Sequence, residues 1–166
     1  QAGINVGHLL VNYAGHGYHA GWAAEGLFAT SDVPALTNAD TYPIVLAMTC
    51  WEGYFHFPLR LSDGYESLSE VVTRADGKGA VASWSPTGLG VATGHEYLNR
   101  GFYEALFAAG ARTVGEATNA GKLKLFTVGA SPDLLDTYLL FGDPATVVQT
   151  PGGSPPTPTP TSTPTA

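Results

Sequence analysis

The sequence predicts an α/β fold built around a mainly parallel sheet, and three observations lead there. Short, nearly continuous apolar runs recur at residues 8–13 (HLLVNY), 44–49 (IVLAMT) and 79–84 (GAVASW). Segments with apolar residues at helical spacing lie between or after these runs. Glycines and cap residues separate the two kinds of segment. An apolar run without alternation marks a strand covered on both faces, as in a parallel sheet. Strands alternating with helices then give helices packed on a mainly parallel sheet. A fourth run at 145–149 (ATVVQ), opened by Asp143-Pro144, is expected to complete the sheet.

The helical patterns are specific enough to place. Leu68, Val71, Val72 and Ala75 fall at i, i+3, i+4 and i+7, which makes one apolar stripe; Gly77 is the expected C-cap. Leu98, Phe102, Ala105, Leu106 and Ala109 make a second stripe, closed by Gly110. Thr113 followed three residues later by Glu116 reads as a capping box that opens a third helix.

A 166-residue chain with 44% hydrophobic and 13% charged residues can bury one sizeable core. Its seven Lys and Arg residues are scattered, and its net charge is −7. Nucleic acid is therefore excluded as a partner, because phosphate binding needs clustered cations. No apolar run approaches the roughly 20 residues that span a bilayer. Met48 is the only methionine, so residue 1 is not expected to be a natural start, and further domains are expected on both sides.

Residues 151–166 (PGGSPPTPTPTSTPTA) change character, holding six of the twelve prolines and no charge. Such a segment cannot form a core and is expected to be a disordered Pro/Thr-rich linker after a folded unit at 1–150. Tails of this type suit exported proteins, so a secreted or cell-surface location is expected.

In open α/β sheets, ligands bind beyond the carboxyl ends of the strands. Ala14-Gly15-His16-Gly17 follows the first run, Cys50-Trp51-Glu52-Gly53 the second and Ser85-Pro86-Thr87-Gly88 the third. A histidine and the lone cysteine of the chain thus occupy one edge of the sheet. The nucleophile of thiol chemistry is the thiolate, which needs a nearby base, and an imidazole titrating near neutrality can serve as base and then acid. Bare glycine backbone lets a carbonyl approach, and N–H groups can receive the developing oxyanion. Gly17 and the Cys50 N–H are the expected donors. An inert packed cysteine and a structural histidine are the plain alternatives.

The longer motifs resemble one family. VNYAGHGYHAGW is similar to the histidine motif of the gingipain family of cysteine peptidases (peptidase family C25, caspase-like clan), carried here by His16, Gly17 and Trp22. PIVLAMTCWEGYF resembles its nucleophile motif, with Cys50 and Gly53. SLSEVV, GAVASWSPTG and LFGDPATVV look like later elements, in the same order. The resemblance implies a three-layer caspase-like sandwich and peptide hydrolysis through a Cys/His dyad and a thioester. It also implies two further strands before the histidine strand, absent from this fragment, whose loops shape substrate recognition. Preference for a particular residue before the cleaved bond is not carried over. Protein or peptide substrates follow from the reaction. No cofactor is required, and a structural calcium ion would leave no readable signature here. The alternative function is a degenerate caspase-like domain acting in surface attachment or maturation.

Five positions near the dyad are weighed for substrate contact: Trp22, Glu52, Trp84, Ser85 and Thr87, with Glu52 weighed also as a group that polarises His16. Packing, turn chemistry or, for Glu52, a solvated loop are their alternatives. His19 lies three residues from His16, but no acidic or thiol cluster accompanies the pair, so no metal is expected. His8, His56 and His95 read as surface or loop residues. Gly88, Gly90 and Gly94 are too irregular for a phosphate loop.

Overall fold

The computed structural model describes residues 1–56 and 65–150; the linker expected at 151–166 lies outside them. In chain order the elements are α1 (Ala2–Asn5), β1 (Leu10–Ala14), the two-residue strands β2 (Gly17–Tyr18), β3 (Gly21–Trp22) and β4 (Phe28–Ala29), a 3-10 helix (Thr30–Ala35), β5 (Ile44–Met48), α2 (Leu68–Arg74), β6 (Ala82–Pro86), α3 (Ala92–Phe107), α4 (Val114–Val128), α5 (Asp133–Thr137) and β7 (Tyr138–Phe141). The main sheet has the order β1-β5-β6-β7. Strands β1, β5 and β6 are parallel, and β7 runs antiparallel along β6. A small antiparallel sheet joins β2, β3 and β4.

Three layers result, as the sequence predicts. Ile44, Leu46 and Met48 of β5, with Ala82 and Trp84 of β6, pack against Leu98, Phe102 and Leu106 of α3 and Val114, Ala117 and Leu125 of α4. Val45 on the opposite face packs with Leu68 and Val72 of α2, Val33 and Leu36 around the 3-10 helix, and Trp22 and Phe28 of the small sheet. Each large side chain so buried contributes on the order of 2 kcal/mol. Trp84 stacks on Phe102 with centroids 5.8 Å apart and meets Tyr138 edge-on at 5.4 Å. Gly101 and Gly121 let α3 and α4 approach closely: a Cβ on Gly101 would stand 2.7 Å from the Gly121 Cα.

Thr113 accepts a hydrogen bond from the Glu116 N–H at 3.2 Å, the capping box read from sequence. A second capping box, Ser67 with Glu70, opens α2. Gly77 is not the cap of that helix. The helix stops at Arg74 with Ala75 already extended, and Gly77 sits in the following turn.

The end of the sheet differs from expectation. Residues 145–149 form no strand; Val147 makes only an isolated bridge to Thr113. The fourth strand is β7, seven residues earlier. The reason lies in Asp143-Pro144, which closes a turn rather than opening a strand. Asp143 accepts from the Ala145 and Thr146 N–H groups at 2.8 and 3.0 Å. The chain then crosses the start of α4, where Pro144 and Thr146 carbonyls accept from the Gly115 and Val114 N–H groups. Those are the donors that a helix start leaves unsatisfied.

Strand β1 is less covered than its apolar run implies. Among the described residues it pairs on one side only, with β5, and Asn12 and Ala14 are exposed. Asn12 donates to the Asn99 Oδ1 at 2.6 Å, tying this edge strand to α3.

Candidate active site

His16 and Cys50 are positioned by strand register. Ala14 lies opposite Met48 in the parallel β1–β5 ladder, and each candidate stands two residues beyond its member of that pair. The Gly15 N–H still donates to the Met48 carbonyl at 3.2 Å, so the pairing continues to the foot of the site. Both side chains face one cleft of about 530 Å³, lined also by Ala14, Gly15, Met48, Gly90, Ala92, His95, Glu96 and Asn99. The cleft opens at the carboxyl ends of β1 and β5, between them and the first turns of α3.

The histidine's backbone is held firmly although its side chain is exposed. The His16 carbonyl accepts from the Tyr13 hydroxyl at 2.7 Å and from the Ala23 N–H at 2.8 Å. Tyr13 stacks on Trp22, with centroids 4.7 Å apart and planes 8° from parallel. Gly17, in β2, is packed so tightly that a Cβ would stand 2.1 Å from the Thr49 Oγ1.

The cysteine sits at the start of a tight turn. Trp51 adopts φ +56°, a left-handed conformation unusual for a large side chain. Its N–H donates to the Gly88 carbonyl at 2.8 Å, and the Gly53 N–H to the Pro86 carbonyl at 2.9 Å. The turn is thereby fastened to the segment leaving β6. That segment folds back over the thiol: the Gly90 N–H donates to Cys50 Sγ at 3.3 Å, and the thiol donates to the Gly90 carbonyl at 3.8 Å.

None of the five positions weighed for substrate contact lines this cleft. Trp84 points into the core and is 1% exposed. Successive residues of a strand alternate faces, so Ser83 and Ser85 point to the opposite face and are fully buried. Thr87 is buried and donates to the Thr137 carbonyl at 3.0 Å. Trp22 lies under Tyr13, and its indole N–H donates to the Glu52 Oε2.

Glu52 is the largest departure. It neither faces His16 across the cleft nor meets solvent; it is 0% exposed. Besides Trp22, the Ser69 hydroxyl reaches its Oε1 at 3.5 Å, and Ser69 contacts Ser83 at 3.0 Å and Ser85 at 2.6 Å. Burial pushes its carboxyl up to about 7, opposed by the hydrogen bonds from Trp22, Ser69 and Ser83. The folded carboxyl therefore keeps its proton to about pH 7, while an unfolded glutamate loses it near 4.5. Between those values the folded state binds more protons, so stability falls as pH rises. The loss is expected to reach roughly 3 kcal/mol above pH 7. Urea midpoints of the complete protein at pH 5 and pH 8 check this: Glu52→Gln should remove the decline, and an equal decline in both proteins would refute it.

His95 is a cleft residue on a helix, not the surface or loop residue that the sequence predicts. It stands in the first turn of α3, half-buried, with its ring 5.7 Å from that of Tyr138. Its Nε2 is buried without a hydrogen-bond partner among the described residues, and burial lowers its pKa. Extending the Leu98–Phe102 stripe back by three residues would have found it. His19 stacks on Tyr65 at 4.2 Å.

Comparison with known proteins bears on this geometry. The model of peptidase family C25 matches residues 1–149. The chain belongs to peptidase family C25. It is 32% identical to gingipain R2 of Porphyromonas gingivalis over 162 residues, which cover 89% of this chain and 20% of that relative. It is 37% identical to Lys-gingipain of the same organism over 79 residues, 48% of this chain and 4% of that one. The crystal structure of the Arg-specific cysteine proteinase gingipain R superposes with a TM-score of 0.78 at 30% identity, covering 90% of this chain and 35% of the other. The chain thus spans about a fifth of the length of gingipain R2 and about a third of the solved gingipain chain. The C25 relationship accounts for the three layers and for the caspase-like arrangement of the sheet.

Proposed function

We propose that the protein containing this chain is a cysteine endopeptidase, with Cys50 as nucleophile and His16 as general base and acid. The observation that supports it most is the equal two-residue offset of His16 and Cys50 beyond paired strands, into one cleft, in a C25 chain. In this reading the thiol proton passes to the His16 imidazole, and sulfur attacks the scissile carbonyl carbon. The carbon–nitrogen bond breaks as the imidazolium gives its proton to the departing amine. A thioester remains. Water then loses a proton to His16 and attacks the thioester, which releases the acid product and restores the thiol.

The oxyanion formed in each half is assigned to the backbone N–H groups of Cys50 and Gly17, which flank the turn and the histidine. One such donor contributes on the order of 3 kcal/mol where it acts. No cofactor takes part. The substrates are proteins or peptides, and a secreted or cell-surface location fits the Pro/Thr-rich tail. Trp22, Glu52, Trp84, Ser85 and Thr87 act, on this reading, behind the cleft and not on substrate.

An electrophilic peptide probe tests the proposal. Incubated with the complete protein, it should add one probe mass, and peptide mapping should place the adduct on Cys50. A protein that cleaves peptides yet carries the adduct elsewhere, or none, would overturn the assignment.

A further inference from the structure

We infer that Glu52 is a positioning residue: its buried carboxyl group clamps the Cys50 turn to the hairpin that carries His16. The inference rests on the proposed peptidase reading and adds a device that sets the spacing of the pair. The connections are explicit. Glu52 stands two residues after Cys50, inside the turn whose N–H groups bind Gly88 and Pro86. Its Oε2 accepts from the Trp22 indole. Trp22 pairs with Gly17 in the β2–β3 ladder, one residue beyond His16, and stacks under Tyr13, whose hydroxyl holds the His16 carbonyl. A single side chain thus joins the nucleophile turn to both supports of the histidine.

The same group is anchored from behind. The Ser69 N–H of α2 donates to the Glu52 carbonyl at 3.3 Å, and the Ser69 hydroxyl bridges the Glu52 carboxyl to Ser83 and Ser85 of β6. Pairing a tryptophan N–H and a serine chain with a carboxyl group satisfies both oxygens without a cation. Such a network is rigid when complete and costly when one member is lost.

The clamp should respond to pH. Tyr13 from β1 and Tyr138 from β7 are the titratable groups that feel the Glu52 charge, and both are pushed up, mainly by burial. Glu70 of α2 turns its carboxylate to the Ser67 cap instead. Among the described residues no Lys, Arg or His acts on Glu52. Ionisation near neutrality therefore places a fully buried negative charge beneath the turn, and the dyad geometry should change over that range.

The complete protein tests this with three variants. Tryptophan fluorescence titrated from pH 5 to 9 reads the Trp22–Glu52 contact without reference to activity. A transition near pH 7 is expected in the wild type and should vanish in both Glu52→Gln and Trp22→Phe. Glu52→Gln keeps an acceptor for Trp22, and its amide can donate to Ser69 once that hydroxyl turns its own proton to Ser83 or Ser85. It should hold kcat within about threefold at pH 6 and lose the inflection near 7 from the kcat profile. Glu52→Ala breaks the clamp and should lower kcat by about 30-fold or more with KM nearly unchanged, the split expected when reacting groups are misaligned. If Glu52→Ala does not fold, the Gln and Phe variants decide the matter alone. A wild-type fluorescence transition that survives Glu52→Gln, or a kcat profile identical in the two proteins, overturns the inference. A fluorescence transition that behaves as expected in a protein without peptidase activity overturns the proposed function and leaves the clamp standing.

Discussion

Cys50→Ala in the complete protein is expected to abolish peptide cleavage, and His16→Ala to lower kcat by about a thousandfold or more. The two losses have different causes. Without sulfur there is no thioester, and water must attack the amide directly. Without the imidazole the thiol loses its proton acceptor and the leaving amine its donor, while the nucleophile itself remains. The second cause gives a sharper test. An amine leaves only with a proton, whereas an aryl oxide leaves without one, so an aryl ester substrate should lose far less than an amide in His16→Ala. Fold damage would not produce that difference. The His16 side chain is exposed, and its carbonyl is held by Tyr13 and Ala23 whatever the side chain is. Thermal melting of His16→Ala should accordingly match the wild type within a degree or two, about what a surface truncation costs. Amide cleavage by His16→Ala within tenfold of the wild type would sink the general acid–base role.

The placement of this pair was legible from sequence because it depends on strand ends. Two apolar runs followed at once by Gly15-His16 and by Cys50 required only that the strands be parallel neighbours, and β1 and β5 are. The capping box at Thr113 was legible for a similar reason: it is local, closed within four residues. What failed depended on which way a strand faces. The run GAVASW reads as uniformly apolar, but the strand starts at Ala82 and alternates, sending Trp84 to the α3–α4 core and Ser83 and Ser85 to the α2 side. Serines at buried strand positions make sense only beside a polar partner, and that partner, Glu52, is distant in sequence from all of them. Its burial arises from α2 and the small sheet closing over the turn. No window of residues around Glu52 carries that information. Strand β7 was hidden differently. Thr137 ends α5 and Tyr138 begins the strand with no turn residue between them, so no punctuation marked the change, and the 145–149 segment, with its β-branched Thr146, Val147 and Val148 set off by Asp143-Pro144, drew the assignment instead.

The cleft's other wall supplies the second large effect. Gly90→Ala is expected to lower kcat/KM for peptides by about a hundredfold, the cost of misplacing a reacting group by around an ångström. The added Cβ would stand 2.2 Å from the His95 Nε2 and 2.3 Å from the Thr49 carbonyl oxygen, distances that no real Cβ sustains. Neither neighbour can yield easily. The Thr49 carbonyl directly precedes Cys50 at the end of the fully buried β5. The His95 ring is packed beside Tyr138, whose hydroxyl donates to the Ala47 carbonyl at 2.9 Å. The segment carrying Gly90 must therefore move, and with it the N–H that donates to Cys50 Sγ. Lifting that segment uncovers the thiol while spoiling the cleft that a peptide would fill. Iodoacetamide, which is small, should then alkylate Cys50 in Gly90→Ala at least as fast as in the wild type, whereas labelling by a peptide probe should fall with kcat/KM. Parallel losses with both reagents would mean that the thiol itself was displaced, and unchanged rates with both would show that the Gly90 segment does not shape the site.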